Sequence, residues 1–172
     1  MKKILSLVFL FTLFLTSLTF AASPLKELSG KLVTRDGKPY DVAQIDKADY
    51  VAIYFSAHWC PPCRKFTPKL VEFYNKVKPS HSNFELVFVS FDHSEKDMYS
   101  YMADMNMPWP ALSYKLTQSK DNPFKSYAGN GIPHLVFMDK TGKVIASSIE
   151  NGQYVGPYKV LPTIEKTLQA SH

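Results

Sequence analysis

Two cysteines separated by two residues are the part of this chain best suited to chemistry. Cys60 and Cys63 are the only cysteines among its 172 residues. Thiol–disulfide exchange needs a thiolate that attacks and a second thiol that resolves the mixed disulfide, and such a pair supplies both. A bridge between neighbours this close constrains the unfolded chain little, so redox chemistry explains the pair better than a structural role.

The flanking residues place the pair at the start of a helix. Residues 50–56 are an apolar, β-branched and aromatic run, which predicts a buried strand. Residues 61–78 carry apolar side chains every three or four positions, which predicts a helix with two prolines in its first turn. Because a helix N-terminus favours negative charge, we expect Cys60 to be the exposed, attacking sulfur and Cys63 the more buried, resolving one.

Zinc binding is the main alternative for the pair. A structural zinc site would need two more ligands. The candidates are His58, His81, His93, His134 and His172, none of which shows paired metal-ligand spacing. We therefore predict neither a metal nor a cofactor at this site.

The rest of the chain alternates strands and helices. The patterns predict a hairpin at residues 31–40 around an Asp-Gly turn, strands at 84–91, 134–138 and 143–149, and helices at 95–105, 124–128 and 157–170. This order predicts an α/β sandwich with a mixed sheet.

Several of these features resemble the thioredoxin superfamily. Residues 59–63 read Trp-Cys-Pro-Pro-Cys after an apolar strand, and Pro68 stands where thioredoxin-like helices carry a kinking proline. Ile132 and Pro133, just before a strand, are similar to the cis-proline loop of that family. The longer string at residues 54–68 resembles the tryparedoxin and nucleoredoxin branch.

The resemblance implies a three-layer thioredoxin-like sandwich with a mixed central sheet, an N-terminal hairpin and a helical insertion at residues 94–114, before the cis-proline loop. It implies a redox-active disulfide between Cys60 and Cys63. Trp59 would shield the dithiol and help to dock substrate. The backbone of Ile132, beside Pro133, would pair with a substrate strand.

One position departs from thioredoxin itself. Many thioredoxins carry a buried aspartate six residues before the first cysteine, where it assists proton transfer to the second; here that residue is Tyr54. Proton handling must then fall to solvent, to a water or to another side chain.

The first residues have the layout of a secretory signal peptide. Lys2 and Lys3 precede an uncharged, mostly apolar run, residues 4–20, and small residues follow. We expect residues 1–21 to be removed and residues 22–172 to form one domain, exported to a bacterial periplasm or the cell surface. An uncleaved membrane anchor stays open, since the run is near the lower length limit for a spanning helix.

The composition limits the classes of binding partner that we expect. The net charge of +5 comes from scattered lysines and arginines without an arginine-rich run, so we expect no nucleic-acid partner. The predicted partners are protein disulfide substrates and an unidentified thiol electron donor. Membrane contact is expected only if the N-terminal segment stays uncleaved.

Together these features predict an exported thiol–disulfide oxidoreductase that acts on protein disulfides. Two alternatives stay open: a reductase for apocytochrome c thiols before haem attachment, and a non-catalytic binding module that keeps the fold. A thiol peroxidase fits less well, because those proteins usually lack this Trp-Cys-X-X-Cys arrangement.

Overall fold

A computed structural model describes residue 25 and residues 28–171, so the predicted signal segment lies outside the described residues. Among the residues described, no helix combines the length and apolarity needed to cross a bilayer. The strands are β1 (Leu32–Val33), β2 (Tyr50–Ser56), β3 (Phe84–Ser90), β4 (Ala111–Leu112), β5 (His134–Asp139), β6 (Val144–Ser147), β7 (Ile149–Glu150) and β8 (Gln153–Tyr154). The α-helices are α1 (Ala43–Asp46), α2 (Pro61–Val77), α3 (Glu95–Asp104), α4 (Tyr114–Thr117) and α5 (Leu161–Ala170).

The main sheet is mixed, and its register positions the site. Its strand order is β1-β4-β3-β2-β5-β6, with β2 parallel to β3 and antiparallel to β5. Phe55, near the end of β2, pairs with His134, the first residue of β5. The segment before β5 therefore lies beside the segment that follows β2.

The central strands are buried on both faces. Every residue of β3 is buried, as its continuous apolar run predicted. Side chains of β2 alternate between two clusters: Tyr54 packs with α2, α3 and α5, whereas Phe55 packs with α1 and the N-terminal residues. The predicted α/β fold, a mixed sheet flanked by helices, is thus confirmed.

The N-terminal hairpin forms only in part. The Asp-Gly turn closes, since the N–H of Thr34 donates to the carbonyl oxygen of Lys38 at 2.8 Å. The return strand is reduced to one bridge between Val33 and Pro39, and β1 pairs along its other edge with β4. The N–H of Tyr40 donates to the carbonyl oxygen of Leu32 at 3.0 Å, so hydrogen bonds flank this bridge on both sides and Pro39 costs the ladder no donor.

Three other boundaries differ from the prediction. The strand expected at 143–149 is divided into β6 and β7 around Ser148. The short helix expected at 124–128 is a 3-10 turn, Lys125–Tyr127. Residues 94–114 contain α3, β4 and the first residue of α4. The interpretation of this segment as an insertion stays a prediction.

Candidate active site

The two cysteines lie at the N-terminus of α2 and form a disulfide, with their Cα atoms 5.2 Å apart. Cys60 is the N-cap residue, in an extended conformation, and its Sγ accepts a hydrogen bond from the N–H of Cys63 at 3.3 Å. Pro61 and Pro62 fill the first helical positions, where a missing N–H costs nothing. The N–H of Cys63 is therefore the first donor that the helix offers to the Cys60 sulfur.

Cys60 is less accessible than the sequence suggested. Cys60 is only 4% exposed in the disulfide form, so the prediction of an exposed Cys60 is wrong for this state. The cause is packing, because Ala57 and Ile132 lie against the pair. Cys63 is fully buried, which leaves Cys60 as the sulfur nearer the surface.

The cis-proline loop, residues 129–133, lies against Cys60. The peptide bond between Ile132 and Pro133 is cis, as predicted. The Sγ of Cys60 lies 3.8 Å from the carbonyl oxygen of Ile132. Within residues 28–171 the N–H of Ile132 has no hydrogen-bond partner, so one backbone donor beside the disulfide is unused.

The loop after β3 holds the other side of the redox loop, residues 57–60. Trp59 is half exposed, and its Nε1–H donates to the carbonyl oxygen of Phe91 at 3.0 Å. Its ring stacks on His93, with centroids 5.6 Å apart. The N–H of His58 donates to a carboxylate oxygen of Asp92 at 2.7 Å. These contacts fix Trp59 as an exposed aromatic surface next to the disulfide.

Asp92 is a site residue that the sequence analysis missed. It is nearly fully buried, and it also accepts a hydrogen bond from the hydroxyl of Ser90 at 2.8 Å. Burial raises the pKa of its carboxyl group, against the opposing effect of the hydrogen bonds from Ser90 and His58. The available signal was its position two residues beyond β3, because parallel β2 and β3 end at the same edge of the sheet.

Four buried hydroxyls form a connected cluster beneath Cys63. The hydroxyl of Thr67 donates to the carbonyl oxygen of Cys63 at 2.9 Å and lies 2.8 Å from that of Tyr54. The hydroxyls of Ser56 and Tyr101 complete the cluster, each within hydrogen-bond distance of two other members.

The hydroxyl cluster is uncharged. Burial raises the pKa of Tyr54 well above its ordinary value, and the neighbouring Tyr101 adds to the shift. The position that holds a carboxylate in many thioredoxins is thus occupied here by a neutral group that both donates and accepts hydrogen bonds.

The histidines near the site make other contacts. Among the described residues, no three His, Cys, Asp or Glu side chains converge on a point that could hold a metal ion. His134 is buried with its Nε2 3.1 Å from the carbonyl oxygen of Tyr127, and burial lowers its pKa. His93 stacks on Trp59.

The raised pKa of Asp92 predicts a pH-dependent contribution to stability. Because the folded state disfavours the carboxylate, this contribution is fully present below the unfolded pKa of about 3.9 and is lost as pH rises through the raised folded value. Asp92→Asn cannot titrate, yet its side-chain oxygen can still accept from His58. The free energy of unfolding of the variant minus that of the wild type, measured by urea denaturation, should therefore be larger at pH 7 than at pH 4. A difference that is the same at both pH values would contradict the shift.

Comparison with known proteins places this geometry in a family. The model of the "Thioredoxin-like" family matches residues 48–144. Human nucleoredoxin is 39% identical over 123 residues, which are 71% of this chain and 28% of nucleoredoxin. Tryparedoxin of Trypanosoma brucei brucei is 41% identical over 98 residues, which are 56% of this chain and 66% of that protein.

Solved structures support the same family. Tryparedoxin I of Leishmania major has a TM-score of 0.61 and 36% identity, covering 72% of this chain and 84% of that one. The chain nevertheless spans less than a third of the length of the nucleoredoxins that it matches. The chain belongs to the thioredoxin-like family, resembles nucleoredoxins and tryparedoxins within it, and carries in Cys60 and Cys63 the active-site pair of such a thiol–disulfide oxidoreductase.

Proposed function

We propose that this protein is an exported thiol–disulfide reductase whose substrates are protein disulfides. One observation carries the proposal: the Cys60 sulfur lies at the N-terminus of α2, 3.8 Å from the carbonyl oxygen of Ile132, where a backbone N–H is also unused. A reactive sulfur beside an unpaired stretch of backbone suits a substrate that arrives as an extended peptide.

The reaction begins from the reduced pair. The Cys60 thiolate attacks one sulfur of a substrate disulfide, which forms a mixed disulfide and expels the other substrate sulfur as a thiolate that takes up a proton. Cys63 then loses its proton and attacks the Cys60 sulfur. The mixed disulfide breaks, the second substrate thiol leaves, and the Cys60–Cys63 disulfide forms. Two electrons have passed to the substrate, and a thiol donor must return them.

The docking surface has a polar and an apolar part. The N–H and carbonyl groups of Ile132 can pair with a substrate backbone in the manner of an added β-strand. The half-exposed ring of Trp59 offers an apolar surface on the other side of the disulfide. Such a site selects for an extended segment around the disulfide more than for particular side chains.

The hydrogen-bond donors around Cys60 support reduction as the direction of the reaction. Pro61 and Pro62 supply no N–H, so the thiolate has the Cys63 N–H as its first donor from the helix. The guanidinium of Arg64 donates to the carbonyl oxygen of His58, so this hydrogen bond goes to the backbone and not to the Cys60 sulfur. Strong oxidants of this class owe their potential to a highly stabilised reduced form. The limited stabilisation here favours a reducing to intermediate pair.

Single-cysteine variants test the assigned roles. Cys60→Ser removes the attacking sulfur and should lower dithiothreitol-driven insulin reduction to the uncatalysed rate. Cys63→Ser keeps the attacker but cannot resolve, so it should accumulate a mixed disulfide with insulin, detected by mass spectrometry as an adduct on Cys60. Insulin reduction by Cys60→Ser at the wild-type rate would reject the assignment.

Export is the part of the proposal that rests on residues 1–21. It is supported by the two lysines, the uncharged run and the small residues that follow. With a C-terminal tag in a bacterial host, the protein should be recovered from the periplasm with Ala22 as its first residue. Recovery of the full-length chain from the cytosol would contradict export, and a full-length chain in the membrane fraction would indicate the anchor instead.

A further inference from the structure

The cis-proline loop has few hydrogen bonds of its own. Within the described part of the chain, no N–H group of residues 129–133 donates a hydrogen bond. The carbonyl oxygen of Ile132 has the Cys60 sulfur 3.8 Å away. The one strong hydrogen bond to the loop comes from Tyr154, whose hydroxyl donates to the carbonyl oxygen of Pro133 at 2.7 Å.

Tyr154 belongs to a tight hairpin. Strands β7 and β8 pair Ile149 with Tyr154 around a turn at Asn151 and Gly152, both of which have positive φ. Turns of this kind match the twist of the flanking strands and fix their register. The position of the Tyr154 hydroxyl is therefore set by the hairpin backbone as well as by its own rotamer.

The same hairpin also contacts the other end of the loop. The Ile149 side chain approaches Gly129 so closely that a Cβ built on this glycine would clash with it. Just before the hairpin, the hydroxyl of Ser148 accepts a hydrogen bond from the N–H of Leu135 at 2.8 Å, which ties the hairpin to β5. The hairpin thus contacts the loop at Gly129 and at Pro133, on both sides of Ile132.

We propose that Tyr154 is a positioning residue for substrate binding. By holding the Pro133 carbonyl, its hydroxyl fixes the neighbouring Ile132 backbone in the orientation that an extended substrate strand needs. A loop that is already ordered spares the substrate the entropic cost of ordering it on binding. This inference rests on the proposed function, because it concerns how a protein disulfide binds at that site.

The side chain of Tyr154 is arranged for this role. Tyr154 is 53% exposed while its hydroxyl is hydrogen-bonded, so the residue is not held by burial in a core. Partial burial raises the pKa of the Tyr154 hydroxyl above its ordinary value. Holding an exposed tyrosine in one orientation loses side-chain conformational entropy. A role in ordering the cis-proline loop explains why this residue is nevertheless held.

Tyr154→Phe tests the proposal, and Tyr158→Phe is its matched control. Tyr158 is similarly exposed, but its ring packs against Phe66, and its hydroxyl has no hydrogen-bond partner among the described residues. Each reduced protein is mixed with increasing insulin, and separately with hydroxyethyl disulfide, in stopped-flow single turnovers. A small disulfide has no backbone to pair with Ile132, so it reports the chemistry at Cys60 alone.

Tyr154→Phe should raise the half-saturating insulin concentration about 3- to 10-fold, the equivalent of one lost hydrogen bond. Its maximal rate with insulin and its rate with hydroxyethyl disulfide should match those of the wild type. Tyr158→Phe should match the wild type in both rates and in the half-saturating insulin concentration. An unchanged insulin dependence, or an equal loss with both disulfides, would overturn the proposal. A wild type that reduces hydroxyethyl disulfide but not insulin would reject the proposed function and this inference with it.

Discussion

The hydrogen bond from the Cys63 N–H to the Cys60 sulfur is the interaction on which the site depends. It exists because the redox loop, residues 57–60, leads from β2 into α2 and ends on Cys60 as the N-cap residue. The sheet register then brings two further segments to the same place. The loop after β3 reaches the redox loop from one side, and the cis-proline loop before β5 reaches it from the other.

Two buried polar systems support this arrangement in different ways. Asp92 holds the redox loop from the side through the N–H of His58, and its buried carboxyl has a raised pKa. The hydroxyl cluster of Tyr54, Ser56, Thr67 and Tyr101 lies below α2 and is neutral. Every hydroxyl in it is hydrogen-bonded, so burial costs the cluster little. The cluster therefore meets the Cys63 backbone without placing a negative charge beneath the sulfurs.

Local patterns were enough to predict the parts of the site that one stretch of chain encodes. The strand before Cys60, the helix after it and the cis bond at Pro133 each follow from neighbouring residues, and all three are confirmed. Asp92 and Tyr154 were missed because their partners, His58 and Pro133, lie 34 and 21 residues away in sequence. Such contacts depend on strand order and hairpin placement, which no local pattern contains.

The same reason explains the error at Cys60. Its position at a helix start suggested exposure, but the side chain of Ile132, 72 residues further along the chain, packs over the disulfide.

The central proposal is that the Cys60 thiolate receives its helical stabilisation from the Cys63 N–H onward, which favours a reducing to intermediate pair. Its reduction potential tests this most directly, by equilibration of the full chain in dithiothreitol or glutathione redox buffers followed by thiol trapping and mass analysis. The account predicts a value between about −270 and about −180 mV, the range of reducing to intermediate proteins of this class. A value near about −120 mV, that of a strong oxidant with a highly stabilised thiolate, would contradict it.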